Sequence, residues 1–264
     1  MKCSSTAPCL AAVMLFCAMA ARARGESKIR RAGEDVGSSN ECVILIHGLG
    51  RTAWSMKRLE WVLKRQGYAV INESYASTRL SIEEAADFWL SEILRRSAVQ
   101  RADRVHFVTH SAGGLVLREY LTGHTIVSLG RVVMLAPPNQ GSELVDRLKH
   151  SLLFRRVTGP AGQELGTDSA DLPQRLPPAR FELGVVAGNR SLNPLFSAWI
   201  PGPDDGKVSV ARAGLAGMKE MLVVPRTHTW MMWRQDVTFA VERFLKRGTF
   251  TPGLGNCRPG FEAD

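Results

Sequence analysis

Val105-His106-Phe107-Val108-Thr109-His110-Ser111-Ala112-Gly113-Gly114 is the stretch on which the reading of this chain turns. Its first half is an apolar, β-branched run that predicts a strand. Leu115 to Leu121 then continues as a helix, so the chain passes from strand to helix through a single serine. On so sharp a turn the serine is pushed out of the sheet edge, hydroxyl exposed, with a helix N-terminus directly behind it. That makes Ser111 a candidate nucleophile. Serine is weak alone, so it requires a base beside it and a group that orients the base.

Working outward, the flanking segments alternate between strand and helix. Glu41 to His47 is a short continuous apolar run closed by Gly48, as expected of a strand buried on both faces. Trp54 to Gln66 reads as a helix with Trp54, Leu59, Trp61, Val62 and Leu63 apolar and Gly67 as its stop. Tyr68 to Ile71 makes a strand. Ser81 and Glu84 form a capping box for a helix with Ile82, Ala85, Ala86, Trp89, Leu90, Ile93 and Leu94 at helical spacing. Arg131 to Leu135 is a fourth strand, Phe181 to Ala187 a fifth and Met221 to Pro225 a sixth. Val237 to Lys246 closes the chain as a helix with Phe239, Ala240, Val241 and Leu245 inward. The pattern predicts an α/β fold: a mainly parallel sheet with helices on both faces.

The alternation breaks between Asn139 and Arg180, where no strand is evident. Ser142 to Val157 reads as one amphipathic helix, with Leu144, Val145, Leu148, Leu152 and Leu153 opposite Arg147, Lys149, His150, Arg155 and Arg156. An insertion of this length at the carboxyl edge of a sheet serves as a lid or as an ordinary surface helix. The domain is expected over residues 41–247, with residues 139–180 as a helical, lid-like insertion and 248–264 as a loose tail.

The chain has 264 residues, 45% of them apolar, which is ample for one such domain. Its formal charge of +9 comes from scattered arginines and lysines rather than an aromatic-interleaved stripe. Scatter of that kind argues against nucleic acid and fits a solvated surface attracted to anionic membranes or polymers. Residues 1–23 have the pattern of a signal peptide: Lys2, an apolar run from Cys9 to Ala21, then small residues. Export to a periplasmic or external compartment is the expectation, with an uncleaved membrane anchor as the alternative, and residues 24–40 read as a linker. Arg22 and Arg24 directly after the run are shared with transit peptides. Cys42 and Cys257 are the cysteines outside that leader, and pairing between them and two free thiols fit the sequence equally.

Six histidines compete to be the base. His228 stands out because it follows the last strand by three residues, in a loop at the same sheet edge as Ser111. His110 is adjacent to Ser111, and its side chain is expected to point elsewhere. The orienting acid is expected from another strand-end loop, where Pro203-Asp204-Asp205-Gly206 offers two carboxylates. Asp205 is preferred because it directly precedes Gly206 and the apolar Val208-Ser209-Val210. Plain turn chemistry is the alternative for this pair, and the alternating oxygen ligands of a calcium loop are missing. A tetrahedral oxyanion needs two backbone N–H donors, which by position are Ala112 and, in His47-Gly48-Leu49-Gly50, Leu49.

His47-Gly48-Leu49, Thr109-His110-Ser111-Ala112-Gly113-Gly114, Asp204-Asp205-Gly206 and Thr227-His228-Thr229 together resemble the α/β-hydrolase superfamily, in its bacterial lipase- and esterase-like branch. The likeness covers residues 41–247 and keeps the superfamily order Ser, Asp, His. Thr109 departs from the first glycine of the G-x-S-x-G pattern. The resemblance implies ester hydrolysis through an acyl-enzyme, with Ser111, His228 and Asp205 as the triad and Leu49 and Ala112 holding the oxyanion. It implies no metal and no organic cofactor, and a small-molecule or lipid ester as substrate. Thioesterases, amidases and non-catalytic binding or chaperone-like members share the fold and stand as alternatives.

Overall fold

The structure, a computed structural model, describes residues 40–251. The leader, all but the last residue of the linker, and Cys257 lie outside the described residues. The apolar runs form β1 (Glu41–Ile46), β2 (Ala69–Asn72), β3 (Arg104–His110), β4 (Leu129–Leu135), β5 (Leu183–Gly188) and β6 (Glu220–Val224). They pair in the order β2-β1-β3-β4-β5-β6, every pair parallel. The interior of β3 is inaccessible to solvent, Val105, Phe107 and Val108 included. Each such side chain contributes about 1.5–3 kcal/mol when removed from water.

Register decides where the strands end. Ile46 lies opposite Thr109, His110 opposite Leu135, Leu135 opposite Val186, and Gly188 opposite Val224. The carboxyl ends of the five strands β1 and β3–β6 therefore share one edge. From β1 the chain moves outward to β2, then crosses back to β3 and continues the other way. Connections that diverge on either side of the β1–β3 pair leave a crevice at that edge, the usual ligand position in open parallel sheets.

One face of the sheet is covered by α1 (Lys57–Arg65), entered through a 3-10 turn at Ala53–Met56, and by α6 (Gln235–Arg247). The other face carries α2 (82–94), α3 (Gly113–Gly123), α4 (Glu143–Leu148) and α5 (Leu152–Gln163). Ser81 and Glu84 cap α2 reciprocally: Ser81 Oγ accepts the Glu84 N–H at 3.0 Å and Glu84 Oε2 accepts the Ser81 N–H at 2.8 Å. Inside α2, Ala85–Leu90 is π-helical. The apolar pairs 85/86, 89/90 and 93/94 repeat every four residues, which drifts round an ordinary 3.6-residue turn. One widened stretch returns them to a single buried face.

Three expectations are corrected. The helix expected over 142–157 is two, divided at Lys149–Ser151, where Lys149 Nζ turns to Asp168 (2.7 Å) and Asp171 (3.0 Å) instead of continuing an apolar face. Leu144, Val145 and Leu148 are buried, but Leu152 is 81% exposed. Phe239 points outward rather than inward, because the buried stripe of α6 runs through Val237, Ala240, Val241 and Phe244 and leaves Phe239 on the opposite side. The chain beyond Gly248 is not loose at its start: Phe250 is buried with its ring 4.8 Å from that of Phe244, and Glu220 accepts its N–H. Among the described residues no helix is long and apolar enough to cross a membrane.

Candidate active site

Ser111 sits where β3 turns into α3, with φ of 53°, a conformation rare for a side-chain-bearing residue. Neighbours hold it there. Its N–H donates to Leu135 O at 2.8 Å and its carbonyl accepts the Gly114 N–H at 3.0 Å. The turn is tight enough that a Cβ on Gly113 would stand 2.6 Å from Ile46 O and 2.7 Å from His47 O, both backbone atoms. Only glycine lets α3 start so close beneath the end of β1. Thr109, in place of the pattern's first glycine, is accommodated because Gly114 leaves room beside its hydroxyl.

The structure brings Ser111, His228 and Asp205 together from three strand-end loops. Ser111 Oγ lies 2.9 Å from His228 Nε2, and His228 Nδ1 lies 2.8 Å from Asp205 Oδ2. Asp205 is itself fixed, its Oδ1 accepting the N–H groups of Lys207 (3.0 Å) and Val208 (2.9 Å). Its carbonyl accepts the His228 N–H at 2.9 Å, a second tie between the two loops. Asp204 faces the other way and does turn chemistry, accepting the Gly206 N–H at 2.7 Å and the Ser197 hydroxyl at 2.9 Å. Gly188 allows the closure, since a Cβ there would meet Arg226 O at 2.3 Å and Asp205 Cβ at 2.9 Å.

Because an ionised carboxylate only accepts, Nδ1 of His228 carries the proton and Nε2 is left to accept from Ser111. Burial pushes the His228 pKa below its ordinary value, against the opposing pull of the Asp205 charge and hydrogen bond. The imidazole is therefore neutral at neutral pH, the form that can take a proton.

Leu49 and Ala112 stand on either side of Ser111, one on the loop after β1 and one at the start of α3. No protein acceptor takes either N–H among the described residues. The loop carrying Leu49 presses on the elbow: a Cβ on Gly48 would lie 2.9 Å from His110 Nδ1 and 3.0 Å from Ser111 Cβ.

Two histidines have roles that the sequence did not reveal. His47 accepts the Tyr75 N–H at Nε2 (3.2 Å), so its Nδ1–H donates to Gly48 O at 2.9 Å and anchors that carbonyl. It is stacked on Tyr75 at 4.4 Å, and burial lowers its pKa to about 4, keeping it neutral. His110, expected to point away from the site, instead reaches the His228 loop: its Nε2 lies 2.9 Å from His228 O. A carbonyl only accepts, so Nε2 bears the proton. His110 thus holds the His228 loop through its backbone, and burial drives its pKa well below the ordinary value. Neither role has a local signal, since the partners lie 28 and 118 residues away.

A narrow cleft opens at Ser111. Leu49, Pro138, Leu144, Val145, Leu165 and Val208 make its apolar walls. Leu144, Val145 and Leu165 come from the insertion, which here is a packed wall of the cleft. One carboxylate group among the described residues has metal-ligand spacing, Asp146, Asp168 and Asp171. The Lys149 ammonium lies among these carboxylates and serves as their counter-charge.

A parallel sheet in this order, with a serine on the turn after β3 and a histidine and an acid on later strand-end loops, defines the α/β-hydrolase class. The alpha/beta hydrolase family profile matches residues 43–256, and the chain belongs to that family. Its structure is similar to the mature lipase BlEst2 of Bacillus licheniformis (TM-score 0.64, 20% identity, 83% of this chain and 96% of that one). It is also similar to phospholipase PlaB of Legionella pneumophila (TM-score 0.62, 16% identity, 81% and 60%). A third likeness is to the metagenomic carboxyl esterase MGS0156 (TM-score 0.59, 20% identity, 82% and 77%). At these identities the likeness establishes the fold. No curated protein sequence matches the chain.

Proposed function

We propose that this protein is a serine hydrolase of carboxylic esters, of the lipase and esterase type. The observation that carries the proposal is the unbroken hydrogen-bonded line Ser111–His228–Asp205 at the mouth of an apolar cleft. Ser111 Oγ attacks the ester carbonyl as its proton passes to His228 Nε2. Asp205 holds the ring and stabilises the imidazolium that forms, without taking the proton. The N–H groups of Leu49 and Ala112 receive the oxyanion, whose loss of one donor typically costs about 10²–10³ in rate. His228 then returns its proton to the leaving alcohol, and water, activated by the same histidine, releases the acid from the acyl-enzyme. Export, read from residues 1–23, belongs to the same proposal.

An ester with an apolar acyl chain is supported by the walls of Leu49, Leu144, Val145 and Leu165, which offer that chain a place. The test is a series of p-nitrophenyl esters from acetate to decanoate. Hydrolysis that persists beyond butyrate into the medium chains is expected. Rates that peak at acetate and vanish by decanoate refute the lipase reading and leave a short-chain esterase, and no hydrolysis of any member overturns the proposal.

A further inference from the structure

The face of the molecule formed by α1 and α6 carries features that ester hydrolysis does not use. Both helices begin at the same edge of the sheet as the cleft. Between them lies a shallow groove lined by Arg58, Arg226, Trp233, Arg234 and Phe239, among others. Arg226 is neutralised by Asp236, Nε to Oδ2 at 3.0 Å. Arg58 and Arg234 are not: neither guanidinium has a hydrogen bond or ion pair among the described residues, and the Arg58 Nε is buried without an acceptor. The two guanidiniums therefore bring uncompensated positive charge to the lining of the groove, which an anion from outside the chain would offset.

Around these arginines lie exposed aromatic rings. Trp54 is 61% exposed and its ring centroid stands 4.8 Å from that of Trp233. Phe239 is 56% exposed, and Trp61, one turn beyond Arg58 on α1, is 58% exposed with the Arg65 guanidinium 4.8 Å above it. Scattered exposed apolar side chains are ordinary, but here Trp54 rests on Trp233, which shares the groove with Phe239 and three arginines, and Trp61 adds an exposed ring one turn further along α1. The counter-charges are few. On α1 Lys57, Arg58, Lys64 and Arg65 face only Glu60, which is turned inward and tied to Lys57 and Lys64.

We propose that the groove and its rim dock the protein on a bilayer containing anionic phospholipid. Arg58 and Arg234 take headgroup phosphates, for which a guanidinium offers two parallel donors. Trp54, Trp61 and Phe239 enter the interface, where amphipathic rings rest at headgroup depth. Placement favours a membrane over a soluble acidic partner. Trp54 lies five residues after Leu49 and Trp233 five after His228, so docking sets the rim of the cleft against the surface. The purpose assigned to this docking rests on the ester-hydrolase reading, but the docking itself does not.

The test therefore uses the full chain carrying Ser111→Ala, which binds without turnover. It is sedimented with vesicles of phosphatidylcholine alone, or of phosphatidylcholine mixed with phosphatidylglycerol. At least roughly tenfold stronger partition into the anionic vesicles is expected, with a blue shift of tryptophan emission. Arg58→Glu with Arg234→Glu is expected to abolish the preference, and Trp54→Ala with Trp61→Ala to weaken residual binding. Circular dichroism and thermal melts report the fold of each variant. Arg58→Gln with Arg234→Gln, which keeps the apolar stems, is expected to reduce the preference by a smaller factor. Anionic binding that is undiminished in both arginine pairs overturns the proposal. So does displacement by inorganic phosphate at matched ionic strength, which assigns the groove to a soluble phosphate. A parent that ignores both vesicles and self-associates through Trp54 and Phe239 overturns it too.

Discussion

Ser111→Ala lowers kcat for p-nitrophenyl ester hydrolysis by roughly 10⁴-fold or more, about 5.5 kcal/mol of lost transition-state stabilisation. The variant removes only the hydroxyl that faces His228 Nε2 at 2.9 Å. The backbone bonds that hold the turn, from the residue 111 N–H to Leu135 O and from the Gly114 N–H to the residue 111 carbonyl, are untouched. Alanine bears the same strain at φ of 53° as serine does, so the melting temperature is expected to stay close to that of the parent. What remains is the catalysis that the N–H donors and the cleft supply without a nucleophile. A rate unchanged by this substitution removes Ser111 from the mechanism.

Asp205→Asn produces the second large loss, on the order of 10³- to 10⁴-fold in kcat. The reason is a tautomer. Asp205 Oδ1 accepts from the N–H groups of Lys207 and Val208, and asparagine must keep its oxygen there. Its amide then donates toward His228 Nδ1, which forces the ring proton onto Nε2 and aims a donor at Ser111 Oγ. The pH profile carries a further sign. In the parent, the base form of His228 is required and burial lowers its pKa, so the acid limb of kcat/KM falls below pH 6.5. Removing the Asp205 charge removes the main influence that raises that pKa, so the limb in Asp205→Asn moves to still lower pH. Asp204→Asn, by contrast, disturbs a turn that already has other supports and is expected to cost less than about tenfold. Equal losses from both substitutions contradict the assignment of Asp205 as the orienting acid.

Much of this fold is written in local pattern. The runs at Glu41, Val105 and Arg131 are continuous and apolar because their strands are buried on both faces, and the Ser81–Glu84 capping box works as its spacing implies. The serine is equally legible, since a strand, a small tight turn and a helix in succession leave few other readings. Contacts between distant segments are not written that way. His110 looked idle because its partner is the carbonyl of His228, on a loop that only tertiary structure brings near. The break at Lys149 has neither glycine nor proline to announce it; the acids at 168 and 171 that draw the lysine away lie about twenty residues downstream. Phe239 misled for a different reason. Its apolar character was read as inward, yet its neighbours at helical spacing already fill the buried stripe of α6.

The most direct test of the central claim is covalent. A fluorophosphonate phosphonylates a serine only where a base activates it and N–H donors receive the developing charge, so it queries Ser111, His228, Leu49 and Ala112 together. Intact mass spectrometry of the full chain is expected to show one adduct per molecule, carried by the peptide that contains Ser111. A chain that stays unlabelled at Ser111 under conditions that label a known serine hydrolase contradicts the account.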